Sequence, residues 1–274
     1  MGLPTPSTEA GRAGLTALLE RPGAALVGLD FDGTLAPIVP DPDAARAHPD
    51  VHPALDRLAP RLGRLAVITG RPAEIAVAYA SLADIDRLVV LGHYGLERWE
   101  AGRLTAPGDD PAIAAARTRV PELLAELGVA DAYVEDKGRA IAVHVRRTAD
   151  PAAAFDLLAP RLRGLAGELG LVVEPGRMVM ELRPAGGDKG DALRGLVAEA
   201  PRSAVVFVGD DLGDLPAFAA VETLRAGGLP GLLVCSGSTE VAEVAERADL
   251  VVEGPAGVAA LLQALADELE RRAG

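Results

Sequence analysis

Short apolar runs separated by amphipathic stretches set the rhythm of this chain. The runs fall at Ala25–Leu29, Leu65–Thr69, Leu88–Gly92, Ala204–Gly209, Leu232–Cys235 and Leu250–Val252. Several of them are continuous apolar segments of four to six residues without the polar alternation of a half-exposed strand, which predicts strands covered on both faces. Between them the spacing predicts helices at Pro53–Leu62, Ala73–Ala80, Lys189–Glu199, Leu215–Leu224, Thr239–Arg247 and Gly257–Arg272. Strand and helix alternate, which predicts an α/β fold built on a parallel sheet with helices on both faces.

The middle of the chain follows another pattern. A helix over Pro111–Leu127 precedes the extended runs Ala132–Glu135 and Arg139–Val145, which flank the turn Asp136-Lys137-Gly138. A second helix over Pro151–Leu169 precedes Leu171–Glu174 and Met178–Leu182, which flank Pro175-Gly176. This order predicts an antiparallel sheet with helices on one face. Residues 109–184 are therefore expected to form an inserted α+β domain of two helix–hairpin units. Residues 1–108 and 185–274 form the rest, and Pro184-Ala185-Gly186-Gly187 is the expected hinge.

Composition removes several classes. Of 274 residues, 49% are hydrophobic, ample for a packed core. Lys and Arg number 27 against 40 Asp and Glu, a formal charge of −13. Such a chain is a poor general nucleic-acid binder, because a duplex demands a basic face. The lone Cys235 has no internal disulfide partner, and Val241 stands where a Cys-dependent phosphatase needs Arg. No Cys/His cluster suggests zinc. No apolar run approaches the roughly 18 residues that a bilayer demands, and the opening residues lack the basic-then-apolar order of a signal peptide. A cytoplasmic enzyme without a nucleic-acid or membrane partner is the expectation.

The chemistry concentrates at strand ends. Asp30-Phe31-Asp32-Gly33-Thr34 directly follows the first apolar run, and alternation would turn both carboxylates toward one spot if the strand continued. Gly209-Asp210-Asp211-Leu212-Gly213-Asp214 follows the run Val205–Val208. Open α/β sheets bind ligands at these ends, and two carboxylate clusters there suit a cation with oxygen ligands such as Mg2+. An EF-hand is excluded, because Leu35 and Asp41 occupy the positions that need Gly and Glu. Thr69 ends the second run, where its hydroxyl can meet a phosphoryl oxygen or cap the next helix. Lys189 opens a predicted helix against the dipole, which suits a cation serving an anion. The chain contains two lysines, Lys137 and Lys189; each supplies a compact point charge that an arginine fork does not duplicate.

Asp30-Phe31-Asp32-Gly33-Thr34, Thr69, Lys189 and Gly209–Asp214 resemble, in this order, the four motifs of the haloacid dehalogenase (HAD) superfamily. The resemblance implies a Rossmann-like parallel-sheet HAD core, with the inserted domain as its cap. It implies Asp30 as a nucleophile that forms an aspartyl-phosphate and Asp32 as the acid and base for the leaving alcohol and the attacking water. Thr69 and Lys189 would hold the phosphoryl group. Mg2+ would be held by the Asp30 carboxylate, the Asp32 backbone carbonyl and Asp210, with Asp214 supporting its shell.

Further segments resemble trehalose-6-phosphate phosphatases: Leu29–Pro37, Gly92–Glu97, Val134–Gly138, His144-Val145-Arg146, Glu174-Pro175-Gly176-Arg177 and Glu181–Pro184. Together they span about Ala25 to Leu262. They imply hydrolysis of trehalose 6-phosphate to trehalose and phosphate in trehalose biosynthesis, and they allow a functional coupling to trehalose-6-phosphate synthase. By that resemblance Lys137, Glu174 and Glu181 lead the sugar or phosphate contacts, joined by His144, Arg146 and Arg177 on the cap and by Arg71 and His93 on the core. A disaccharide suits such a set, since charged groups bind hydroxyl pairs. His144 and Arg146, two residues apart on a predicted strand, are expected to share a face. Two departures stand out: Gly213-Asp214-Leu215 where the family has Thr-Asp-Glu, and Arg177 where Lys is more usual. The competing readings are a HAD phosphatase acting on another sugar phosphate and a non-catalytic sugar-phosphate sensor; the intact Asp30 argues against the sensor.

Overall fold

The computed structural model describes residues 2–176, 178–237 and 242–274. The chain divides into two compact units, Met1–Ala106 with Gly187–Gly274, and Pro107–Gly186. The span expected for the insertion, 109–184, lies two residues inside the second unit at each end.

In chain order the first unit holds α1 (Glu9–Glu20), β1 (Leu26–Leu29), α2 (Val51–Leu58), β2 (Arg64–Ile68), α3 (Ala73–Tyr79), β3 (Leu88–Gly92), β4 (Glu97–Glu100) and β5 (Arg103–Thr105). The second unit holds α4 (Pro111–Glu126), β6 (Tyr133–Asp136), β7 (Ile141–His144), α5 (Pro151–Leu169), β8 (Leu171–Gly176) and β9 (Val179–Pro184). The first unit resumes with α6 (Lys189–Ala198), β10 (Val205–Gly209), α7 (Leu215–Ala226), β11 (Gly231–Gly237), α8 (Ala242–Arg247), β12 (Leu250–Glu253) and α9 (Gly254–Ala273). Of the helix expected over Thr239–Arg247, residues 239–241 lie outside the described residues.

The strands of the first unit form one sheet in the order β12-β11-β10-β1-β2-β3-β4-β5. From β12 to β3 all neighbours are parallel. Val27, Leu29, Val67, Val90, Val206 and Val208 face one buried cluster, filled by Leu18, Leu55, Leu58, Val258 and Leu262 from α1, α2 and α9. Their strand neighbours Leu26, Ala66, Ile68, Val89 and Phe207 face a second, filled by Leu193, Leu196, Phe218 and Val221 from α6 and α7. Covering both faces is what removes polar alternation from these strands. Winding proceeds outward from β1 to β3 on one side and from β10 to β12 on the other. The gap between the ends of β1 and β10 is therefore a topological switch point, where open α/β sheets place their ligands.

Two elements were not expected from the pattern. The antiparallel hairpin β4–β5 extends the sheet past β3. Its strands are short and rich in charge, and its turn uses Ala101 and Gly102 at φ 51° and 75°. That is the left-handed geometry of a tight hairpin, reached in a chain without a single Asn. Helix α1 packs on β11 at backbone contact, since a Cβ on Gly14 would lie 2.0 Å from the Gly231 carbonyl oxygen. The buried Asp249 carboxylate anchors its start by accepting from Thr8 Oγ1, and also accepts from Arg225 and the Leu233 N–H.

The second unit is an antiparallel sheet in the order β6-β7-β9-β8. Helices α4 and α5 cover one face, packing Ile113, Val120, Leu124, Leu158 and Leu162 on Ile141, Val143, Met180 and Leu182. Gly170, at φ 71°, ends α5 in the left-handed region and turns the chain into β8. Two helix–hairpin units thus build one layer of helices on one sheet.

Substituting Gly14→Leu should destabilise the protein by about 1–3 kcal/mol through overpacking against β11. Thermal unfolding should show a lowered Tm, with Gly23→Ala, where a Cβ meets nothing within 4 Å, as the matched control.

Candidate active site

β1 stops at Leu29, but the Asp30 N–H still donates to the Val208 carbonyl at 2.9 Å. The register Leu29↔Val208 brings the end of β10, and with it Asp210, alongside. Asp30, Asp210, Asp214 and Lys189 are 3%, 4%, 0% and 5% exposed. Lys189 Nζ donates to Asp30 Oδ1 and Asp214 Oδ1, both at 2.7 Å. Asp214 Oδ2 accepts from the Asp210 N–H at 2.8 Å, and Thr34 Oγ1 donates to Asp210 Oδ1 at 3.3 Å. One oxygen from each of Asp30, Asp210 and Asp214 lies within 4.8 Å of the others. Gly33 sits at φ 78°, and a Cβ there would lie 2.0 Å from Asp210 Oδ2. Both the turn and the close approach therefore require glycine. The buried Ser236, which the sequence did not single out, donates to the Gly33 carbonyl at 2.7 Å.

Three buried carboxylates face one ammonium. Burial pushes the Asp30 carboxyl well above its ordinary range; Lys189 opposes this, while Asp214, Asp210 and Asp211 add to it. Burial, then Asp214 and Asp211, push Asp210 up to about 8. Burial also raises Asp214 against the pull of Lys189. For Lys189, burial works against the ammonium, but Asp214 and Asp30 outweigh it and the pKa rises. The lysine stays charged, and the carboxylates it cannot balance hold on to protons. A hard divalent cation fits a donor set made of carboxylate oxygens and short of positive charge.

The two carboxylates of the Asp-x-Asp pair have different partners, because the strand does not continue through them. The Phe31 carbonyl accepts from Leu35 and Ala36 at 2.8 and 2.9 Å, so the chain turns after Asp30. Asp30 meets Lys189, whereas Asp32 accepts a fork from Arg71 at 2.7 and 2.6 Å. The part expected of Asp32 toward a metal was its backbone carbonyl, which this side-chain pairing does not oppose. Arg71, expected to contact substrate, directs its fork onto Asp32.

Thr69, buried at the end of β2, donates its N–H to the Leu91 carbonyl at 2.9 Å, and its Oγ1 accepts from the Arg71 N–H at 3.1 Å. The segment after β3 braces this turn. His93 and Tyr94 donate backbone N–H groups to the carbonyls of Arg71 and Thr69, each at 3.0 Å. Glu97, buried and not singled out individually from the sequence, accepts from the Ala73 N–H at 2.8 Å. His93, expected to contact substrate, has a buried side chain whose Nε2 lies 4.0 Å from Glu97 Oε1. Its position suits shaping the turn.

In the second unit the register Glu135↔Ala142↔Glu181↔Glu174 runs straight across the sheet. These residues share the face opposite the helices. Lys137 Nζ donates to Glu181 Oε2 at 2.5 Å, and Arg183 Nη2 donates to Glu174 Oε2 at 2.9 Å. His144 Nε2 lies 2.8 Å from Glu135 Oε2. Glu181 is buried, and among the described residues its Oε1 has no hydrogen-bond partner. Lys137, His144, Glu174 and Glu181 are thus brought together, with Glu135 and Arg183 as their partners. Arg146 is not on the strand: β7 ends at His144, and Arg146 lies in the following turn. Arg177 lies outside the described residues.

The chain is an α/β protein with a parallel core and a carboxylate cluster at its switch point, and it shares the fold of a haloacid dehalogenase-like hydrolase from Bacteroides thetaiotaomicron, with a TM-score of 0.55 at 18% identity over 90% of this chain and 99% of that one. The trehalose-phosphatase family model matches residues 28–252, and the chain belongs to that family. It is 36% identical over 273 residues to a trehalose-phosphate phosphatase of Mycolicibacterium paratuberculosis, covering 90% of this chain and 63% of that protein. The chain thus spans less than two thirds of that relative. It is 30% identical over 213 residues to the trehalose-6-phosphate phosphatase of Escherichia coli K12, covering 77% of each. The crystal structure of a trehalose-6-phosphate phosphatase related protein shares the fold with a TM-score of 0.70 at 23% identity, over 90% of this chain and 99% of that one. Among the described residues no helix is long and apolar enough to cross a membrane.

Lys189→Met should leave Asp30 and Asp214 buried without their cation and cost about 3–5 kcal/mol. Urea unfolding in the presence of a chelator reads this directly; wild-type stability in that variant would mean the carboxylates are neutral in the native state.

Proposed function

We propose that this chain is a Mg2+-dependent phosphatase that hydrolyses trehalose 6-phosphate to trehalose and phosphate through an aspartyl-phosphate on Asp30, in trehalose biosynthesis. The observation that carries the reading is the buried cluster of Asp30, Lys189, Asp210 and Asp214, in a chain of the trehalose-phosphatase family. Relatives named for this activity support it. The same reading assigns the activity to the cytoplasm, in functional coupling with a trehalose-6-phosphate synthase.

The residues divide the work by chemistry. Mg2+ would be held by the carboxylates of Asp30 and Asp210 and the carbonyl of Asp32, with Asp214 behind, and when bound it supplies the positive charge that lets a phosphate dianion approach Asp30. An Asp30 oxygen attacks phosphorus, the bond from phosphorus to the sugar oxygen breaks, and Asp32 protonates that oxygen. Water then attacks phosphorus, Asp32 takes its proton, and the bond to Asp30 breaks to release phosphate. Lys189 holds Asp30 in place and offsets charge. Thr69, whose hydroxyl oxygen accepts from the Arg71 N–H, directs its own proton to a phosphoryl oxygen.

We assign to the second unit the role of cap domain. Its polar face carries Lys137, Glu174 and Glu181 as the leading sugar contacts, with His144 on the same face and Arg146 in the adjoining turn. Arg177 belongs to the same assignment. Glu181 Oε1, buried and without a donor among the described residues, is the group a sugar hydroxyl satisfies.

Asp30→Asn should lower turnover by at least roughly 10⁴-fold, the scale on which an enzyme loses its nucleophile, and still bind trehalose 6-phosphate by calorimetry. In a panel of esters the wild type should prefer trehalose 6-phosphate; equal rates on glucose 6-phosphate would move the assignment to another sugar phosphate.

The raised Asp210 carboxyl sets a pH dependence. Folded, metal-free protein keeps a proton up to about 8, while the unfolded chain releases it near 3.8. Protonated Asp210 therefore adds stability that is complete below about 4 and is lost as pH rises through about 8. In chelator the Tm should fall across this window, and Mg2+ should restore it most at the alkaline end.

A further inference from the structure

Arg71 has the geometry of a residue that works on Asp32. Its Nε and Nη2 donate to Asp32 Oδ2 and Oδ1 at 2.7 and 2.6 Å, a fork that fixes both the distance and the plane of the carboxylate. Nη1 donates to the Pro42 carbonyl at 3.1 Å. The guanidinium carbon lies 5.4 Å from the ring centres of both Phe31 and Tyr79, within cation–π reach. The Arg71 side chain is 11% exposed and that of Asp32 40%, so the clamp is covered and the group it holds is accessible. The Arg71 backbone is pinned as well, to Thr69 Oγ1 through its N–H and to the His93 N–H through its carbonyl.

We infer that Arg71 is a positioning residue that sets the orientation of the Asp32 carboxylate for proton transfer. The inference rests on the acid–base role assigned to Asp32 above. Asp32 follows the end of β1 and forms an isolated bridge with Ala36, so no run of strand pairing directs its side chain. Proton transfer needs heavy atoms within about 2.6–3.2 Å, and a carboxylate free to change rotamer spends less time there. A carboxylate has about four acceptor positions, so the fork leaves each oxygen a lone pair for a sugar or water proton. Lysine, a point charge, cannot reproduce the fork.

Leaving-group chemistry tests this. A dinitrophenolate departs without a proton, whereas a sugar alkoxide needs one. With saturating Mg2+, the first-turnover release of dinitrophenolate from 2,4-dinitrophenyl phosphate is compared with single-turnover cleavage of trehalose 6-phosphate. The ratio of the two rates should rise about tenfold or more in Arg71→Ala, within the range that acid–base catalysis contributes. It should rise less in Arg71→Lys, which also serves if Arg71→Ala fails to fold, and most in Asp32→Asn. The KM for trehalose 6-phosphate should change little in the Arg71 variants. A raised KM with an unchanged ratio would make Arg71 a substrate contact and overturn the inference. Equal loss on both esters, with a lowered Tm, would make it purely structural and overturn it too. If the ratio rises in Asp32→Asn but not in either Arg71 variant, the positioning role alone fails. An unchanged ratio in Asp32→Asn removes the acid–base reading and this inference with it.

Discussion

Lys189 holds the active-site region of this protein together. Its ammonium is buried and bonded to Asp30 from one strand end and to Asp214 from the turn after another. Neither carboxylate would be tolerated there alone, because burying an unpaired charge costs several kcal/mol. One ammonium cannot balance three carboxylates, so the cluster keeps a deficit of positive charge. That deficit makes the pocket both a poor place for protons to leave and a good place for a divalent cation. The chain as a whole, at −13, offers no general attraction for an anion. In the proposed reaction, whatever draws the phosphate must therefore be local.

Around that cluster the scaffold is rigid for simple reasons. β1 and β10 are paired throughout their lengths and covered on both faces, so their ends are fixed points. The segments that carry Asp32, Thr69 and Asp214 lie beyond the ends of β1, β2 and β10 and depend on local bonds: the Gly33 approach to Asp210, the Asp214 carboxylate on the Asp210 N–H, and the His93 and Glu97 brace under Thr69–Ala73. The second unit solves a different problem. Its helices take all the apolar residues of the sheet to one side, and the remaining face is free to be a dense row of carboxylates and their cations.

Much of this could be read from the chain. Strands covered on both faces are continuous apolar runs, and five of the six runs are such strands; the sixth, Leu250–Val252, lies in the edge strand β12, where Val251 is 52% exposed. The second unit showed its two helix–hairpin units through the turn at Lys137-Gly138 and through the pair Pro175-Gly176, although the pair is not itself the turn: β8 runs on through Gly176. The hairpin β4–β5 was hidden because its strands are short, charged and joined by Ala-Gly. Glu97 looked like one charge among many until the backbone N–H it caps was in view. Arg146 looked like a partner of His144 on one strand face, but β7 ends at His144 and alternation ends with it.

What the sequence determined by itself is the kind of protein this is: which segments are strands and helices, and which side chains are the candidates for its chemistry. Periodicity and motif order are local properties, and they survive in one dimension. Only the tertiary structure decided who pairs with whom. Asp30 and Asp32 are two residues apart, yet one belongs to Lys189, 159 positions away, and the other to Arg71, 39 positions away. An ion pair is chosen by distance in space and by burial, and neither quantity is written in the spacing along the chain.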